Sequence, residues 1–276
     1  MKNTAADQKL FVRSFSKGLE VLLAFNANRP SMNLPEIAAA ADISKSAAQR
    51  FAFTLEALGY LGRVSPGKRY CLTPKVLELG FRYLLVDRLL ERANPYLLEL
   101  NRKCRETVNI AEPDGTDMVY VQRFPSHHSM PVFMPIGRRL PMYCSSSGRA
   151  YLMTLSTDAA RTLLESVPRP RYTPTTVTAL PQLLDIVEAA KRRGYSVANG
   201  EYYRGDLGIA VPVWGADGSA VASINISVPS TRWTLERLEK ELAPLLMETA
   251  RSICDHPPAP SDLEPFRLGM LPATET

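Results

Sequence analysis

The chain has 276 residues, 45% of them apolar and 22% charged, the composition of an ordinary globular protein with room for two modest cores. No apolar run reaches the roughly 18 residues that a membrane helix needs. The polar opening MKNTAADQKL lacks the apolar stretch of a secretion signal, so a cytoplasmic protein with no membrane role is expected. The net charge of +5 is uneven: residues 1–90 hold 13 Lys and Arg against 7 Asp and Glu, and the rest hold 20 against 21. A basic first third joined to a neutral remainder points to nucleic acid bound at one end.

A first helix is predicted over KGLEVLLAF (17–25), followed by a loop to Met32 broken by Pro30. Asn33 can cap a short second helix to about Ala41, with Pro35 in its first turn and Glu36 at the positive end of its dipole. A turn at Asp42-Ile43 follows, with Ile43 plugging the core, and Ser44 caps a third helix to about Leu58. On that helix Ala48, Phe51, Leu55 and Leu58 share one face. Lys45, Ser46, Gln49 and Arg50 must point elsewhere. Two short helices joined by a tight turn, the second basic in its first turns, describe a helix-turn-helix.

After Gly59, YLGRV and KRYCLT flank SPG as a hairpin, a wing with Lys68 and Arg69 at its tip for phosphate or minor-groove contacts. Ser44, Lys45, Ser46, Gln49, Arg50, Lys68 and Arg69 are therefore the expected contacts to double-stranded operator DNA. Arg50 could instead pair with Glu36 or Glu56, and a helix-turn-helix can also serve protein contacts. The winged module is assigned to residues 1–76.

A long helical stretch runs on from Leu72, broken near Asn94-Pro95. Its first part, 77–94, is assigned as a linker and dimerisation helix, because Leu77, Phe81, Leu84 and Leu85 make it too apolar to stand alone in water. A twofold dimer also suits a pseudo-palindromic operator.

Residues 95–256 are assigned as an antiparallel α+β domain. Strands are expected at TVNIAE, DMVYVQRF, MPVFMPI, GIAVPVW and AVASINISVP, and helices at GRAYLMTL, DAARTLLESV, LPQLLDIVEAAKRRGY and, capped by Thr234, the segment from Leu235. Residues 257–276, rich in proline, are expected to form a loose tail.

Two features of this domain suggest a ligand. In LPMYCSSSGRAYL, three serines and a glycine precede a helix, a setting for a carboxylate, although the same run is also an ordinary capped helix start. In ASINISVP, Ser223, Asn225 and Ser227 alternate onto one strand face and Ile224 and Ile226 take the other. The polar face is either a ligand wall or the solvent side of a sheet.

An enzyme alternative uses Cys144 or Ser147 as nucleophile with His127 or His128 as base, without a G-x-S-x-G elbow or an orienting acid. Cys71, Cys104, Cys144 and Cys254 form no CxxC pair, and the three histidines are not grouped, so no metal site and no cofactor are expected.

FVRSFSKGLEVLLAF…LPEIAAAADISKSAAQRFAFTLEALGYL, IGRRLPMYCSSSGRAYL, RGYSVANGEY and GIAVPVW…ASINISVP together make the chain resemble the IclR family of bacterial transcription regulators over nearly its whole length. The resemblance implies a winged helix-turn-helix, a linker helix and a GAF-like, PAS-like effector domain. It also implies dimers or dimers of dimers and control by a small organic acid. Repression and activation, the latter with RNA polymerase as partner, both remain open.

Carried onto this chain, the effector pocket involves Ser146, Ser147, Asn199, Gly208, Asn225 and Ser227. Some members that sense small keto acids have a carboxylate near Asn199 and a cysteine in place of Gly208. Here glycine is expected to open space, with Met118, Tyr120, Phe133 and Met134 as apolar walls and Tyr202 and Tyr203 nearby, which favours a larger, aromatic carboxylate.

Overall fold

The computed structural model describes residues 10–64, 67–128 and 135–255, in two compact units divided between Val86 and Asp87. The expected strand at 130–136 and the tail from 257 fall wholly or largely outside those residues.

The first unit carries helices α1 (Arg13–Leu23), α2 (Leu34–Ala40) and α3 (Lys45–Ala57), strands β1 (Leu61–Val64) and β2 (Arg69–Leu72), and helix α4 (Leu77–Val86). Asn33 and Glu36 form a reciprocal capping box: the Glu36 N–H donates to Asn33 Oδ1 at 2.9 Å and the Asn33 N–H donates to Glu36 Oε2 at 2.8 Å. Asp42 makes the turn into α3 at φ 49°, a left-handed position that aspartate tolerates better than most residues. The core gathers Val21, Phe25, Met32, Ile37, Ala48, Ala52, Leu61 and Tyr70. Leu58, expected inside, is 53% exposed; the inward face of α3 uses Ala48 and Ala52 instead. β1 and β2 pair antiparallel, and Met32 adds a bridge to Tyr70.

The helix expected to break at Asn94-Pro95 breaks at Asp87. There the carboxylate accepts from the N–H groups of Leu89 (2.8 Å) and Leu90 (3.3 Å) and starts helix α5 (Arg88–Cys104). Pro95 lies inside α5, where it removes a single donor, the one that would reach the Glu91 carbonyl.

The second unit continues with β3 (Thr107–Asp114), β4 (Asp117–Phe124), β5 (Arg139–Pro141), α6 (Ser146–Leu152), α7 (Thr157–Glu165), α8 (Leu180–Arg193), β6 (Ser196–Asn199), β7 (Asp206–Trp214), β8 (Ala220–Pro229) and α9 (Leu235–Asp255). The short strands β5 and β6 were not read from the sequence. One antiparallel sheet has the order β5-β4-β3-β8-β7-β6, so the unit is α+β. Directly paired residues share a face. Val108, Ile110, Ile209, Val211, Ile224 and Ile226 form the apolar side, against which α9 and α5 pack. The other side carries Asn109, Ser223, Asn225, Ser227, Gly208 and Tyr120 beneath α6. Among the described residues, no helix is long and apolar enough to cross a membrane.

Candidate functional site

On the first unit, Ser44, Lys45, Ser46, Gln49 and Arg50 are all exposed. Ser44 is committed to the helix: its Oγ accepts from the Ala47 N–H at 3.2 Å and lies 3.0 Å from Ser46 Oγ. Lys45, Gln49 and Arg50 make no side-chain hydrogen bond or ion pair among the described residues. Both acids that could have claimed Arg50 are taken, Glu56 by Arg63 at 2.7 Å and Glu36 by Arg69 at 2.8 Å.

Arg69 departs from its expected place at a free wing tip. It opens β2 and is tied down: Nε donates to Ser31 Oγ (3.0 Å), Nη2 donates to the Ser31 carbonyl (2.7 Å), and the guanidinium pairs with Glu36. The wing is thereby strapped to the start of α2, and the arginine's donors are used in doing so. Lys68 stays exposed in the turn. Phe53, which the sequence reading passed over, is 68% exposed and lies in line with Ser46, Gln49 and Arg50 at spacings of three, four and seven. It falls outside the apolar period of α3, and that is the signal it offered.

In the second unit the helix expected from Gly148 begins two residues earlier, at Ser146, and so takes in part of the serine run. Ser145 is the cap: its Oγ accepts from the Gly148 N–H (3.2 Å) and donates to the Pro141 carbonyl (2.8 Å). Ser146 and Ser147 lie inside the first turn of the seven-residue α6. Gly148 lets α6 touch the preceding turn, because a Cβ there would stand 2.1 Å from Met142 Cα.

Behind α6 the buried Arg149 grips Glu201 in two parallel bonds of 2.6 and 2.7 Å, and also donates to the carbonyls of Tyr143 and Val197 at 3.1 Å. The Ser196 hydroxyl donates to the Ser146 carbonyl at 2.6 Å. These bonds hold α6 rigidly over β6.

Between α6 and the polar sheet face, a cavity of about 20 Å³ is lined by Tyr120, Leu140, Cys144, Ser146, Ala198, Tyr202, Tyr203, Asp206, Gly208 and Ser227, among others. That is space for about one water. Asn225 is buried and donates to Ser227 Oγ at 3.2 Å. Ser223 Oγ and Asn109 Oδ1 are buried with no hydrogen-bond partner among the described residues; Ser147 Oγ and Asn225 Oδ1 are buried without a well-formed one, although both side chains lie near enough to the Tyr120 hydroxyl to favour its ionised form. Such atoms are rare in folded proteins and call for an explanation.

Three expected pocket features are revised. Asn199 is exposed and pairs with Leu207, in the phase that belongs to the apolar side of the sheet; one residue earlier, Ala198 pairs with Gly208 and lines the cavity. Gly208 does not open space, because Ser146 fills it: a Cβ at 208 would lie 2.6 Å from Ser146 Oγ. Met118 is buried core beside Leu140, while Phe133 and Met134 lie outside the described residues.

The sequence reading missed Asp206 and Arg123. A register shift between Ile110 and Ala111 against β4 sets Ala111 opposite Tyr120 and Asn109 opposite Arg123, so two residues three apart share the cavity face. Asp206, at the start of an otherwise apolar strand, has the phase of Gly208. Burial pushes its carboxyl up to about 7, opposed by the charge of Arg123. Burial, helped by Asp206, raises the Tyr120 phenol as well.

Catalysis is not what this arrangement supports. Burial pushes the Cys144 thiol up to about 12, which keeps it protonated. His127 Nε2 lies 3.0 Å from Asn101 Oδ1 and His128 Nε2 lies 3.9 Å from Glu106, so neither engages Cys144 or Ser147. No cluster of metal-ligating side chains occurs among the described residues.

A winged helix-turn-helix with an uncommitted polar helix face, carried on one chain with a cavity-bearing α+β unit, defines a transcriptional regulator. Residues 14–65 match the IclR helix-turn-helix domain, and residues 81–255 match the family described as bacterial transcriptional regulator IclR C-terminal. The chain belongs to the IclR family, whose members are DNA-binding regulators and not enzymes.

It is 31% identical to the Pca regulon regulatory protein of Pseudomonas putida, over 88% of this chain and 84% of that one. It is 32% identical to the regulator KdgR of Escherichia coli, over 88% and 91%. Among solved structures it is similar to an IclR homologue from Microbacterium hydrocarbonoxydans complexed with 4-hydroxybenzoate. That match has a TM-score of 0.72 and 26% identity, and covers 88% of this chain and 98% of that one.

Proposed function

We propose that this regulator is a switch on operator DNA thrown by a small organic acid, with an aromatic carboxylate the best fit. The observation that carries the reading is the seam of under-satisfied buried polar atoms, Ser223 and Asn109 without a partner and Ser147 and Asn225 without a well-formed one, beside the small cavity under α6. A site left unsatisfied without ligand gains hydrogen bonds when a polar ligand enters, which offsets the opening of the walls. Tyr120, Tyr202 and Tyr203 supply aromatic surface. The homologue complexed with 4-hydroxybenzoate supports the same class of ligand.

In this reading Lys45, Ser46, Gln49 and Arg50 address base edges and Lys68 a phosphate, while Arg69 braces the wing. The apolar residues exposed on α1 (Phe15, Leu19, Leu23) and α4 (Leu77, Phe81, Leu85) support pairing of two copies, which a twofold operator requires. The acid acts by binding one arrangement of the paired reading heads more tightly than another. The test is Asn225→Ala and Ser227→Ala: both keep operator affinity and lose the response to the acid. Normal response in both would move the pocket elsewhere.

A further inference from the structure

We propose that Asp206 makes this cavity selective for monocarboxylic acids bearing a hydrogen-bond donor, such as a hydroxyl, at the end remote from their carboxylate. The inference rests on reading the cavity as an organic-acid site and adds which acid it takes.

Asp206 lines the cavity on the same sheet face as Gly208 and Ser227. Its backbone is fixed, the N–H donating to the Tyr203 carbonyl at 3.2 Å and the carbonyl accepting from Gly200 at 2.7 Å. The carboxylate itself accepts no hydrogen bond and makes no ion pair within 4 Å among the described residues; Arg123, across the face on β4, acts on it through charge alone. A largely buried carboxylate without a donor is costly, and neither the Tyr202 nor the Tyr203 hydroxyl, both on the cavity wall, donates to it.

A ligand hydroxyl reaching Asp206 would relieve that cost. Sites built to receive a ligand hydroxyl reject the analogue that lacks it more strongly than apolar pockets discriminate shape. A second carboxylate at the same end would meet Asp206 as like charge. The hydroxyls of Ser146 and Ser227, also on the cavity wall, remain as donors for the carboxylate at the other end.

The experiment is calorimetric titration of the full chain at pH 8 with two matched sets of acids. One set is benzoate, 4-hydroxybenzoate and terephthalate; the other is hexanoate, 6-hydroxyhexanoate and adipate. In the set that binds, the wild type prefers the hydroxy acid to its parent by tenfold or more and binds the dicarboxylate least. Asp206→Leu levels hydroxy acid and parent. Asp206→Asn, which keeps an acceptor oxygen, keeps part of the hydroxyl preference and admits the dicarboxylate.

Equal affinity of the wild type for hydroxy acid and parent, or tightest binding of the dicarboxylate, overturns the role of Asp206 while leaving the organic-acid reading intact. Failure of all six acids to bind overturns that reading and this inference with it.

Discussion

Replacing Glu201 by glutamine tests whether the Arg149 brace holds the cavity roof. Arg149 is 2% exposed and Glu201 6%. Glu201 Oε1 accepts from Arg149 Nη1, while Oε2 accepts from both Arg149 Nη2 and the Val177 N–H, at 2.7 and 3.1 Å. Three donors thus converge on two oxygens. An amide has one oxygen, so either orientation of the substituted side chain turns an NH₂ group against a donor and leaves a buried guanidinium without its counter-charge.

Breaking a buried pair from one side costs about 3–5 kcal/mol. For a unit of this size each kcal/mol lowers Tm by about 2–4 °C, so a drop of at least roughly 6 °C is expected. The assay is urea and thermal unfolding of the full chain by circular dichroism, with the two units fitted as separate transitions. Only the transition of the second unit should move. Arg149→Met combined with Glu201→Leu should be less damaging than either single change, since no buried charge is then left alone. A loss below about 1 kcal/mol for Glu201→Gln, or a double variant as damaging as Arg149→Met or Glu201→Leu alone, would show that the pair is not a brace.

Three further outcomes follow from the same structure. Lys68→Ala should reduce the salt slope of DNA binding by about one, as expected for a lost phosphate contact, whereas Arg69→Ala should leave the slope unchanged because its donors are spent on Ser31 and Glu36. Gly148→Ala should prevent the second unit from folding stably, a loss above about 4 kcal/mol seen as insoluble or molten protein, because the clash is with Met142 backbone that cannot step aside. Asp206, raised to about 7 in the fold, binds a proton that the unfolded chain has already shed at lower pH. Stability should therefore fall as pH rises from about 4 to 7, and urea midpoints of Asp206→Asn should lack that decline.

The first unit was largely legible because its signals are local. Asn33 and Glu36, and Ser44 ahead of Lys45, announce helix starts within four residues, and polar side chains off the apolar period mark an outward face. The alternation of Ser223, Asn225 and Ser227 was equally readable, since a strand turns by a fixed half-turn per residue.

What the sequence could not convey were contacts set by distant partners. A register shift brings Tyr120 and Arg123 onto one face against simple alternation. The phase of Asn199 is set by pairing with β7, and the room beside Gly208 is decided by Ser146, 62 positions away in the chain. Arg69 has the local signature of a free cation, but Ser31, 38 residues earlier, holds it. Asp87 outweighed Pro95 as a helix boundary because a capping side chain starts a new helix, whereas an internal proline only removes a bond.

The most direct measurement is fluorescence anisotropy of the full chain on the intergenic DNA upstream of its own gene, beside random DNA, at several salt concentrations with and without 4-hydroxybenzoate. Tight, steeply salt-dependent binding to the intergenic fragment is expected, with an acid-induced change of tenfold or more in that specific affinity and random-DNA binding unmoved. Sequence-blind binding, or a specific affinity that 4-hydroxybenzoate leaves unchanged, is the opposite result.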